Sequence, residues 1–107
     1  MSYRILFTAT AKEDLRDIAF HIADISKDKN LALKFVNEMQ TKCRQLHDFP
    51  ESGALPNDRV LRSLGYRFLV HKDYLMFYTV DHETKTVFIQ AAFNAKRDYT
   101  RVLRKML

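Results

Sequence analysis

Two glycines and two prolines in 107 residues leave little room for long structureless loops. Those residues punctuate turns, so their scarcity predicts regular elements joined by short connections. A single cysteine, Cys43, excludes an internal disulfide and suits a reducing compartment. No apolar run approaches the ~20 residues that span a bilayer. Met1-Ser2-Tyr3-Arg4 also lacks the apolar stretch of a secretion signal. The expectation is a cytoplasmic protein with no membrane partner. There is no Gly-rich phosphate loop, no His-Glu-x-x-His and no cysteine pair at zinc spacing, so the sequence points to no cofactor and no metal.

What is present fits one domain covering residues 1–107, with 47% hydrophobic and 29% charged residues. The net charge of +5 and pI near 9.5 suit an anionic partner such as nucleic acid, a ribosome or an acidic protein. The positive excess is local. Residues 59–72 carry Arg59, Arg62, Arg67 and Lys72 with no carboxylate, and residues 94–107 carry Lys96, Arg97, Arg101, Arg104 and Lys105 against Asp98 alone.

Along the chain, Tyr3 to Thr8 alternates with period two and reads as a strand. Thr10 and Glu13 fit a capping box opening a helix over about 11–26. Leu15, Ile18, Ala19, Ile22 and Ile25 are its apolar face, and Lys12, Asp14, Asp17, His21 and Asp24 its wet one. Asn30 is placed to cap a second helix with Ala32, Phe35, Val36, Met39, Cys43 and Leu46 as its stripe. The short break between them predicts an antiparallel helix hairpin lying on a sheet. Phe49-Pro50-Glu51-Ser52-Gly53 ends the second helix, and Ala54 to Ser63 reads as an irregular arm. Three closely spaced runs then predict an antiparallel meander. Tyr66 to His71 is its first strand, Tyr74 to Val80 a central strand buried on both faces, and Thr86 to Phe93 its last. Asp98 to Leu107 has the spacing of a short basic amphipathic helix. The class is α+β.

The candidate chemistry lies in the basic residues. Arg59, Arg62, Arg67, Lys96 and Arg97 are of the type that holds a phosphodiester through bidentate hydrogen bonds. His71 or Tyr99 would supply the exchangeable proton of a metal-free RNase. The same residues read equally well as a solvated face that docks an acidic partner. Tyr66, Tyr74 and Tyr99 are either stacking platforms or core aromatics. Cys43, within an apolar stripe, reads as a packed thiol.

The order strand, helix hairpin, Pro-bounded arm, meander and basic end resembles the RelE/ParE superfamily of toxins from type II toxin–antitoxin systems. The resemblance rests on Phe49-Pro50-Glu51-Ser52-Gly53, Tyr74-Leu75-Met76-Phe77-Tyr78 and Lys96-Arg97-Asp98. It implies an N-terminal strand, a two-helix hairpin on a mostly antiparallel twisted sheet, and a short C-terminal helix. Ribosome-dependent mRNA-cleaving members carry an arginine where this chain has Leu75, and tend to alternate basic residues where Arg67 is followed by Leu69. The resemblance therefore favours the ParE branch, implicated in inhibiting DNA gyrase, over an endoribonuclease acting on ribosome-bound mRNA. It also implies a cognate antitoxin, with operator DNA reached only through that antitoxin. For a RelE-like site it assigns Arg67, His71, Arg97 and Tyr99 to catalysis. For a binding surface it assigns Arg59, Arg62, Lys96, Arg97, Arg101, Arg104 and Lys105.

Overall fold

The computed structural model describes residues 2–96. The expected helix over 98–107 and the candidates Arg97, Tyr99, Arg101, Arg104 and Lys105 lie outside the described residues. Strand β1 (Arg4–Phe7) leads into α1 (Ala9–Ser26) and α2 (Lys29–Cys43), and a 3₁₀ turn (Arg44–His47) follows. After the arm come α3 (Arg59–Ser63), β2 (Arg67–His71), β3 (Tyr74–Asp81) and β4 (Thr86–Asn94). The sheet order is β1-β4-β3-β2, with β1 parallel to β4 and the other pairings antiparallel.

The helices begin where side chains can accept orphan backbone N–H groups. Thr8, not Thr10, caps α1: its Oγ1 accepts from Ala11 N at 3.1 Å. Asp28, not Asn30, caps α2 by accepting from the N–H groups of Asn30 and Leu31. Lys27, with φ 58°, turns the chain between them. Ala11, Leu15 and Ile18 of α1 and Ala32, Met39 and Cys43 of α2 are buried. Ile25, expected in the stripe, is 64% exposed.

The central strand is buried on both faces, as its composition requires. Tyr74, Met76 and Tyr78 join the core under the helices, with Leu15, Ile18, Met39 and Cys43. Leu75 and Phe77 point the opposite way, into a second cluster with Leu61, Ala91 and Phe93. The arm is therefore not wholly irregular: α3, capped by Asp58 through Leu61 N, inserts Leu61 into that second face. The register shift between Phe77 and Tyr78 leaves Gln90 unpaired in β4. A bulge of this kind reverses side-chain parity, so Val87 and Ile89 face the helices before it and Ala92 does after it.

β1 pairs with β4 only as far as Phe7 and Ile89. Beyond that point the Ala92 N–H donates to Asp14 Oδ2 at 3.0 Å. Asp14 is thus not a wet residue of α1; it completes the hydrogen bonding of the sheet, because a buried N–H needs an acceptor. On the other edge, Ala54 pairs with Phe68 through reciprocal bonds of 2.9 Å, holding the arm against β2.

Candidate functional site

Leu75 stands where an mRNA-cleaving site of the resembled kind would need an arginine. It is 8% exposed, faces the second cluster, and is flanked across the sheet by Val70 and Phe93. Phe77 stacks between Phe68 and Phe93, with centroids 5.3 and 5.5 Å away. Among the described residues, Leu75 and Phe77 pack on that side with Leu61, Ala91 and Phe93.

Arg67 and His71 lie on the other face of β2, with Leu69 between them. Four residues of strand separate them by roughly 13 Å, so they do not converge on one phosphate. Arg67 is also committed within the fold. Its Nη1 donates to the Gly53 carbonyl at 3.0 Å and its Nη2 lies 3.9 Å from Glu51 Oε2.

His71 packs edge-on against Phe35 at 5.0 Å, with Nε2 3.6 Å from Glu38 Oε1. That nitrogen is buried and has no hydrogen-bond partner among the described residues. Burial pushes its pKa below the ordinary value, and Lys42 and Lys72 push the same way while Glu38 opposes them. The ring is therefore neutral at pH 7 with Nε2 turned inward, a poor general acid.

Arg59 and Arg62 sit on α3, across the sheet from Arg67 and His71, and Arg62 Nε donates to the Pro56 carbonyl at 3.1 Å. Lys96 follows β4 beside the β2–β3 turn, where Ala95 N donates to the Asp73 carbonyl. The structure thus distributes the described candidates over two faces. Tyr74 is a core residue against Phe35, and Tyr66 packs on the second cluster. Cys43 lies with Sγ 3.6 Å from Met76 Sδ, and burial pushes its thiol up to about 12, which keeps it protonated and inert.

One polar array was missed by sequence reasoning. The Tyr3 hydroxyl contacts His82 Nδ1 at 2.8 Å, and His82 Nε2 lies 4.0 Å from Glu51 Oε2. Tyr3 and His82 are 79 residues apart, so no local pattern links them. Among the described residues no group of three or more His, Cys, Asp or Glu side chains is placed to hold a metal.

The family model of the ParE toxin of the type II toxin–antitoxin system parDE matches residues 5–99. The chain belongs to the ParE toxin family. No curated protein sequence matches it. Among solved structures it is similar to a chain of the chromosomal ParDE system of P. aeruginosa. The TM-score there is 0.72 at 21% identity, covering 89% of this chain and 98% of that one. It is similar to a chain of the RelBE2 toxin–antitoxin complex of Mycobacterium tuberculosis, with TM-score 0.60, 21% identity, and 88% and 99% coverage. A mutant E. coli RelE in the free state matches with TM-score 0.65 at 16% identity over the full length of both chains. This ParE-family toxin therefore shares its fold with both ParE and RelE proteins. No described helix is long and apolar enough to cross a membrane.

Proposed function

We propose that this ParE-family toxin arrests growth by binding DNA gyrase, and that a cognate antitoxin neutralises it. The observation that carries the reading is Leu75 within an apolar cluster. Cleaving a phosphodiester without a metal needs cationic donors gathered around the developing charge, and loss of one such donor costs roughly 3–4 kcal/mol of transition-state stabilisation. Here the arginine position is hydrocarbon, Arg67 is tied to Gly53, and His71 faces inward. What remains is a basic exterior suited to docking, fed by Arg59, Arg62 and Lys96 and, in the sequence beyond, Arg97, Arg101, Arg104 and Lys105. An antitoxin partner is supported by the P. aeruginosa ParDE and M. tuberculosis RelBE2 relatives, which are toxin–antitoxin pairs.

Induced expression in bacterial cells tests this reading, with transcripts mapped by primer extension and DNA damage followed in parallel. Growth arrest with intact transcripts and an induced DNA-damage response is expected. Codon-specific breaks in ribosome-bound messages, lost in Arg67→Ala or Arg97→Ala, would replace it with an endoribonuclease.

A further inference from the structure

Three lysines line a cleft between α2 and the β2–β3 hairpin. Lys34 and Lys42 belong to α2 and Lys72 to the hairpin turn, and Asn37, Glu38, Thr41 and His71 complete a space of about 530 Å³. Lys34, Glu38 and Lys42 follow one another at four-residue spacing, which makes Glu38 the helix neighbour of both lysines. Its carboxylate turns elsewhere, with Oε1 3.6 Å from His71 Nε2. Among the described residues, none of Lys34, Lys42 and Lys72 forms an ion pair.

The two walls of the cleft are tied together beneath these charges. The Lys72 ammonium lies 5.4 Å from the centroid of the Phe35 ring, within reach of a cation–π contact. Phe35 is a residue of α2, and its ring packs edge-on against His71 and Tyr74 of the hairpin. Lys42 and Lys72, from opposite walls, both lie close enough to His71 to oppose its protonation. Like charges on two walls repel, and nothing among the described residues neutralises them.

Three ammonium groups against one carboxylate leave the cleft with an excess of positive charge that a singly charged anion does not balance. An ammonium is a compact point charge with three rotatable donors, suited to the tetrahedral oxygens of a phosphate and without the planar fork that matches a carboxylate. The Thr41 hydroxyl and the Asn37 amide add uncharged donors at the same place. We propose that this cleft binds a small diphosphate-bearing anion, inorganic or carried on a nucleoside. Lys34 and Lys42 hold it from α2 and Lys72 from the hairpin, while Glu38 limits its affinity. Neither Arg67 nor the inward-facing His71 nitrogen takes part, and the site is independent of the gyrase reading.

The test is isothermal titration of the full chain with sodium pyrophosphate at fixed low salt, repeated with a nucleoside diphosphate. One saturable site is expected, together with a melting temperature that rises with pyrophosphate concentration. Lys42→Gln and Lys72→Gln, at exposed positions, should each weaken binding about threefold to tenfold, and Glu38→Gln should tighten it by a similar factor. Lys29→Gln, on α2 but outside the cleft, should leave it unchanged. A nucleoside diphosphate binding tighter than pyrophosphate supports the site and identifies the nucleoside-borne source; equal affinity supports it with the diphosphate alone as the recognised group. Absence of saturable binding, or Lys29→Gln weakening it as much as Lys42→Gln, would overturn the site. Citrate competing as well as pyrophosphate would overturn the phosphate assignment in favour of an acidic protein surface, and a short oligonucleotide displacing pyrophosphate at lower concentration would overturn it in favour of nucleic acid.

Discussion

The Gly53 N–H donates to the Tyr78 hydroxyl at 2.9 Å, and a Cβ on Gly53 would lie 2.5 Å from that same oxygen. The contact joins the last residue of Phe49-Pro50-Glu51-Ser52-Gly53 to the last of Tyr74-Leu75-Met76-Phe77-Tyr78, so two motifs distant in sequence meet at one buried hydrogen bond. The Gly53 carbonyl, in turn, anchors Arg67.

Gly53→Ala is therefore expected to destabilise the fold by about 2–3 kcal/mol, because the Tyr78 ring and the Phe68 carbonyl crowd the added methyl. Tyr78→Phe leaves a buried N–H unpaired and should cost about 1–3 kcal/mol. Urea denaturation followed by circular dichroism measures both.

Leu75→Arg places an unpaired charge inside the second cluster and is expected to cost about 4 kcal/mol or more. Leu75→Ala should cost about 2–5 kcal/mol through the cavity it leaves. Neither variant should gain mRNA cleavage, since Arg67 and His71 face the other side of the sheet. Denaturation curves and a ribosome cleavage assay check the two halves of this statement.

The choice of helix cap is equally testable. Thr8→Ala removes the bond to Ala11 N and the hydroxyl's bond to the Ile89 carbonyl, and should cost about 1–2 kcal/mol. Thr10→Ala, at an exposed position inside α1, should change stability by less than about 0.5 kcal/mol. The reverse order would restore the cap to Thr10.

Acid should weaken the fold in two windows. The folded-state pKa of His71 is lowered by burial, so the unfolded chain binds more protons there. The contribution is complete above the ordinary histidine value near 6.5 and is lost as pH falls below it. Asp81 is also lowered, first by the Thr84 backbone N–H, so its contribution holds above the ordinary carboxylate value near 3.9. It is lost as pH falls through the lower folded value. His71→Gln should flatten the stability profile just below the ordinary histidine value, and Asp81→Asn only the more acidic part. Denaturation midpoints across pH read the two apart.

Much of the architecture was legible because β3 and the helix stripes are long and regular. A run in which Tyr74 to Tyr78 is continuously apolar belongs in the middle of a sheet, and there it lies. The caps were displaced by two residues in both helices. Thr8 and Thr10, like Asp28 and Asn30, are all competent cappers, and for α1 a tertiary bond to Ile89 accompanies the choice. Asp14 looked solvated because only the sheet, through Ala92, explains its burial. The bulge at Gln90 and the α3 turn have no strong local signature. The basic residues were visible one by one, but their division between two faces depends on strand parity and on where Leu61 inserts.

A DNA gyrase supercoiling assay with the purified toxin tests the central claim most directly, run beside an mRNA cleavage assay on translating ribosomes. Dose-dependent loss of supercoiling with intact message, reversed by the cognate antitoxin, is the predicted result. Unimpaired gyrase together with cut message would contradict it.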